Sequence, residues 1–262
     1  SVMRRMGTAV RDFDFSVPGV TTISADLHKY GYAPKNASVV LYRNRELRKH
    51  AWFVCSSTTE YAVINPTAQS SRTGGPIAAA WAILRFLGED GYQRIVRDSQ
   101  DATRRMLEGI ASIPGIRVLG DPEMCMYTIA SEEISVFEMD DEMRERGWRL
   151  LPQFACGGGP ANLHVSVSHG NVPHVETFVN DLREVVETLR SRGPSVDRAA
   201  FAEVAQEVAG KPFEEVLMAV APLIGITGTD VPDKMAPLNT MLDLLPAATR
   251  DELLTAFVNM TS

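Results

Sequence analysis

Residues 20–25 form a strand-like run, and a β-rich run follows through 37–43, so both stretches read as strands. Gly31 and Pro34 mark a turn between them. Residues 13–16 read as a further extended piece, split from 20–25 by Pro18-Gly19. Asn44 is placed to cap a short helix over 44–50, and 51–55 reads as a third strand. An alanine-packed segment, 75–87, predicts a helix. A longer one is predicted over 90–113, with Tyr92, Ile95, Val96, Ala102, Met106, Leu107 and Ile110 as its apolar stripe.

Pro114-Gly115 ends that stripe. Strand patterns then recur at 116–119, 124–130, 135–137, 148–151 and 163–168, with helices expected over 140–146 and 174–192. Arg192-Gly193-Pro194-Ser195 reads as a linker, and 198–208, 213–219, 238–244 and 249–259 read as short amphipathic helices. The class is α/β. Three parts are expected: the end of a large α/β domain (1–95), a smaller α+β domain (96–192) and a helical extension (193–262). Residues 1–6 resemble a helix tail without cap or leading strand, so one segment of a longer polypeptide is expected.

Composition narrows the function classes. The 262 residues are 45% hydrophobic and 23% charged, which is ordinary for a soluble globular protein. A net charge of -7, spread along the chain, argues against nucleic acid or an anionic membrane as partner. No run of 18 apolar residues and no signal-peptide pattern appears, so no membrane span is expected within these residues. Cys55, Cys125 and Cys156 share no metal-ligand spacing and leave an odd thiol, so buried small hydrophobes in a reducing cytoplasm are expected, and no metal. His50, His169 and His174 likewise lack ligand spacing, His164 reads as a core histidine and Trp148 as core.

Lys29 sits where the first strand gives way to its turn, the position at which loops of an α/β sheet converge on a ligand. Its amine there could attack an aldehyde, with His28 beside it to bind an anion or tune the amine. A bare His-Lys pair is usually surface.

The surrounding string is far more specific. Ser24-Ala25-Asp26-Leu27-His28-Lys29-Tyr30-Gly31-Tyr32-Ala33-Pro34-Lys35 closely resembles the cofactor-lysine segment of the group II pyridoxal phosphate (PLP) decarboxylase family, in its sphingosine-1-phosphate lyase-like branch. Ser71-Arg72-Thr73-Gly74-Gly75-Pro76, Gly88-Glu89-Asp90-Gly91-Tyr92, Glu145-Arg146-Gly147-Trp148 and Asn162-Leu163-His164-Val165 are similar to further family segments. The resemblance covers roughly residues 10–190. It implies the fold of PLP enzymes of fold type I (aspartate aminotransferase-like), of which this chain would be the C-terminal half. The upstream half would carry the carboxylate for the pyridine nitrogen, the stacking ring and most of the phosphate site.

The resemblance also implies roles. Lys29 would form the Schiff base with PLP, and His28 and Asp26 would lie near its phosphate, although an Asx-turn is an equal reading for Asp26. Ser71 would reach the phosphate of a partner subunit's cofactor, implying a homodimer, whereas spacing alone makes Ser71 a helix cap. Lys35, six residues after Lys29, would suit a substrate phosphate. Tyr30 or Tyr32 would line the pocket. The substrate would be a small amine or amino acid, cleaved at Cα by decarboxylation or by retro-aldol cleavage of a phosphorylated amino alcohol. A non-catalytic module lacking half the site is the alternative. Residues 56–63 depart from the family, which carries an aromatic and paired glycines at this border of the substrate entrance.

Overall fold

A computed structural model of the chain describes residues 2–57, 59–67, 71–224 and 232–261. It divides into two compact units, Ser1–Arg97 and Asp98–Ser262.

In the first unit a short helix α1 (Val2–Arg5) precedes β1 (Thr22–Asp26) and β2 (Ser38–Tyr42). These strands pair antiparallel, with Asp26 opposite Ser38 and Thr22 opposite Tyr42. Residues 13–16 are not extended: Asp14 accepts from the Ser16 and Val17 amides, closing a turn before Pro18-Gly19. α2 (Arg45–Arg48) follows, and Asn44 caps it by accepting from Leu47 N, as its sequence position predicts. The third strand begins later than expected, because residues 49–51 continue as a 3-10 turn. It is β3 (Phe53–Cys55), and it forms a hairpin with β4 (Val63–Asn65), a strand the sequence pattern did not reveal.

α3 spans Gly74–Ala111 and breaks at Gly88, whose φ of 56° and ψ of -169° lie outside helical space. Two helices meeting near residue 88 were the expectation, and glycine is the residue that tolerates this backbone.

Little apolar surface in the first unit is buried. Its core cluster is Ala33, Ala37 and Ala80 with Leu27 and Ile83 against them. Val39, Val40 and Leu41 are consecutive and all exposed, so both faces of β2 are uncovered. Strands of continuous apolar character belong inside sheets covered on both sides. Phe53, Val54, Ile64, Trp81 and Phe86 are exposed as well.

The second unit has a full core. A four-stranded antiparallel sheet has the order β5 (Arg117–Val118), β6 (Met126–Ala130), β8 (Asn162–Ser166), β7 (Leu151–Gln153). One face sends Tyr127, Ile129, Leu163 and Val165 into the core, which includes Ile110, Phe137 from α4 (Val136–Glu145) and Phe178 and Leu182 from α5 (Val175–Arg192). Trp148 is half-buried, edge-on to Phe178, and donates to Asp181 at 2.7 Å. His164 is not a core histidine: it lies on the sheet's other face and contacts Ser166 Oγ at 3.1 Å. Of the thiols only Cys125 is buried.

Residues 135–137 start α4 instead of forming a strand. Ser135 caps it by accepting from Glu138 N at 3.3 Å, and the Ser-x-x-Glu spacing was a helix signal outweighed by the apolar Val136-Phe137 pair. Glu138 is buried and looks elsewhere, accepting from Arg192 and from the Ser195 and Val196 amides, so the predicted linker is tied down. The remaining helices are α6 (Arg198–Val208), α7 (Phe213–Ile224), α8 (Ala236–Leu244) and α9 (Ala247–Thr261). Phe201, Val216, Val220 and Met241 from this region join the same core.

Asp141 on α4 caps α8 from a distance, accepting from Met235 N at 2.9 Å and Ala236 N at 2.8 Å. Asp141→Ala strands both donors, one of them buried. It is expected to cost about 1–3 kcal/mol, read from the denaturant midpoint. Loss under about 0.5 kcal/mol would mean that water satisfies these amides equally well.

Candidate active site

β1 delivers its last residue, Asp26, to a tight turn. Lys29 N donates to Asp26 O, Tyr32 N to Lys29 O, and Ala33 N to Leu27 O, while His28 N reaches across to Ala37 O. The chain packs so closely that a Cβ on Gly31 would lie 2.5 Å from Leu27 O, hence glycine here. Tyr32 and Asn36 adopt positive φ, 57° and 70°, a conformation that a bulky residue such as Tyr32 holds only when its surroundings impose it. One such constraint comes from α3: Tyr92 Oη donates to Gly31 O at 2.7 Å, and burial pushes the phenol pKa up.

Four side chains assemble at this turn. Lys29 Nζ lies 2.7 Å from Asp26 Oδ2, and its side chain is 64% exposed. Ser38 Oγ donates to the other oxygen, Asp26 Oδ1, at 2.6 Å. The Lys29 ammonium first, and the Ser38 hydroxyl second, hold the Asp26 carboxyl at about 2. The stability this pairing gives the turn is present above the ordinary carboxylate range and is lost only as pH falls through about 2. His28 Nδ1 lies 3.1 Å from Ala37 O and 3.3 Å from Ser38 Oγ. A proton on Nδ1, donated to Ala37 O, leaves Nε2 as the nitrogen outside this network.

Lys29, His28 and Asp26 thus share one turn, with Ser38 in contact with both His28 and Asp26. Asp26 does not act as an Asx-turn, since its carboxylate partners are side chains. Ser38 was missed; its only sequence signal is a polar residue opening the second strand, and strand register was needed to place it opposite Asp26. Tyr30 and Lys35 are exposed on the same loop, and Lys35 makes no ion pair among the described residues. Ser71 is exposed and makes no hydrogen bond to Lys29, His28 or Asp26 among the described residues; Thr73, not Ser71, precedes the first helical residue. Thr58, in the departing loop, lies outside the described residues. No cluster of metal-ligating side chains occurs among the described residues, and no described helix is long and apolar enough to cross a membrane.

The chemistry of this set fits a carbonyl cofactor: an accessible primary amine on a rigid turn, with an imidazole beside it for an anionic group. Comparisons with known proteins point the same way. A family model described as "Pyridoxal-dependent enzyme, C-terminal putative HTH domain" matches residues 180–260. The sphingosine-1-phosphate lyase of Arabidopsis thaliana is 40% identical over 192 residues, 73% of this chain and 35% of that protein. The L-aspartate decarboxylase of Thermococcus kodakarensis is 27% identical over 71% of this chain and 47% of its own length. A solved sphingosine-1-phosphate lyase from Burkholderia pseudomallei matches with a TM-score of 0.66 at 34% identity, covering 80% of this chain and 47% of that one. The chain spans between about a third and a half of the length of these relatives.

The fold is that of part of the pyridoxal 5'-phosphate enzymes of fold type I. The sphingosine-1-phosphate lyases are homologues of the chain, and the matched family model is that of a C-terminal domain of pyridoxal-dependent enzymes.

Proposed function

We propose that the chain carries the reactive lysine of a PLP-dependent lyase that cleaves a bond at Cα of an amine substrate, by retro-aldol cleavage of a phosphorylated amino alcohol. The observation that carries this reading is the Lys29 amine, accessible just after β1 and held in a surface ion pair with Asp26. When bound, PLP would supply an electron sink for the pair left at Cα. Lys29 anchors the cofactor and afterwards moves the proton at Cα. His28 offers Nε2 to the cofactor's phosphate, and Ser38 and Asp26 keep His28 and Lys29 aimed. Lys35 binds the substrate's phosphate, and Tyr30 lines the entrance. Amino-acid decarboxylation is the second chemistry compatible with the same lysine, favoured by the altered residues 56–63 and by the likeness to an aspartate decarboxylase.

We further propose a homodimer in which Ser71 serves the partner's cofactor. Support for assembly comes from the exposed apolar residues of β2, β3 and the first half of α3, among them Val40, Val54, Trp81 and Phe86. The same surface supports a requirement for further polypeptide, equivalent to the part of the relatives that this chain does not match. Nucleic acid is not among the proposed partners, because residues 193–262 carry four basic and ten acidic side chains. Free thiols at Cys55 and Cys156 suit the reducing cytoplasm proposed for it.

The test is covalent trapping. The complete enzyme incubated with PLP and reduced with borohydride is expected to retain the label on the peptide containing Lys29. Label on Lys35 or Lys49 instead would refute the assignment.

A further inference from the structure

Asp26 and Ser38 form a contact that the turn itself does not need. The backbone bonds of residues 26–33 close the turn without them, yet both Asp26 oxygens are engaged, Oδ2 by Lys29 Nζ at 2.7 Å and Oδ1 by Ser38 Oγ at 2.6 Å. Ser38 is fixed by its register opposite Asp26 and by its 3.3 Å contact to His28 Nδ1. The carboxylate is therefore aimed, and a lysine with four rotatable bonds is held at one point above the turn.

We propose that Asp26, oriented by Ser38, is a positioning residue that keeps the Lys29 amine docked until a carbonyl compound takes it. This rests on Lys29 being the reactive lysine. An ammonium has no lone pair, so Lys29 must lose a proton before its nitrogen can bond to a carbonyl carbon. Asp26 stays ionised down to about pH 2 and is too weak a base to keep that proton, which leaves to water. With the charge gone, the ion-pair attraction is lost and only a weaker neutral N–H contact to the carboxylate remains. The step that makes Lys29 nucleophilic also loosens it, while Asp26 keeps its bond from Ser38. His28, Tyr30, Tyr32 and Lys35 are the other titratable groups of this turn, and Tyr92 Oη faces it from α3.

Site-resolved trace acetylation with acetic anhydride tests this on the full chain without PLP, using Lys35 as internal reference. Asp26→Asn is expected to raise the Lys29-to-Lys35 labelling ratio by about two- to fivefold at low salt, the range of exposed ion pairs. Ser38→Ala is expected to raise it less. In the unmutated chain, 1 M salt shrinks the screening length to about 3 Å and is expected to raise the same ratio. That measurement needs no variant to fold. Unchanged ratios in Asp26→Asn and at high salt overturn the proposal. So does a rise shared equally by Lys35 and Lys49, which reports general loosening. Either failure leaves the borohydride test of the cofactor lysine unaffected.

Discussion

Lys29→Ala in the complete enzyme is expected to lower turnover by about four orders of magnitude or more, the scale on which loss of a covalent group acts. The fold is expected to survive, because the Lys29 side chain is mostly exposed and the turn is closed by backbone bonds and by Tyr92. A melting temperature within a few degrees of the parent would confirm that the loss is chemical. The same variant tests the dimer. If Ser71 serves the partner's cofactor, Lys29→Ala and Ser71→Ala chains are each defective alone, Ser71→Ala by about tenfold or more for a lost charge-assisted contact. Mixed after dissociation, half the dimers pair one of each, and one of their two sites is intact. Recovery to about a quarter of parental kcat is then the expected statistical outcome. No recovery after verified subunit exchange would place both residues in one subunit's site, and a monomeric active enzyme would remove the dimer altogether.

How much of this was legible in the sequence depended on whether the signal was local. Asn44 capping α2 and the helix break near Gly88 are short-range consequences of one side chain or one backbone dihedral, and both stood in the sequence. The clustering of Lys29, His28 and Asp26 was legible for the same reason: four consecutive residues on one tight turn must share a neighbourhood. Ser38 was not, because its place opposite Asp26 is a matter of register across a long loop. Tyr92 was assigned to an apolar stripe, and its hydroxyl bond to Gly31 joins residues 61 apart. Residues 135–137 show two local signals in conflict: Val136-Phe137 suits a strand, Ser135 with Glu138 suits a helix start, and burial of Phe137 in the core is satisfied by the helix. Glu138 and Asp141 would both be written as a solvated charge run, yet each is buried on backbone amides of the following region. Only tertiary structure reveals such partners.

Lys35→Ala separates the two chemistries proposed for Lys29. A phosphate monoester carries roughly two negative charges near neutral pH, and one positioned ammonium contributes about 1.5–3 kcal/mol through a charge-assisted contact. At 1.36 kcal/mol per decade, kcat/KM for a phosphorylated amino alcohol is expected to fall by about one to two orders of magnitude. Lys35 makes no ion pair among the described residues, so its removal breaks no salt bridge there and the effect can be read as lost substrate binding. A free amino acid, which lacks the phosphate, is expected to be turned over almost unchanged if it is a substrate at all. The contact is made in ground state and transition state alike, since the phosphate is remote from the breaking bond, so the loss is expected in KM with kcat nearly constant. If Lys35→Ala leaves every phosphorylated substrate untouched, or if the parent enzyme releases CO₂ from free amino acids and cleaves no phosphorylated base, the retro-aldol reading fails and Lys29 serves a decarboxylase.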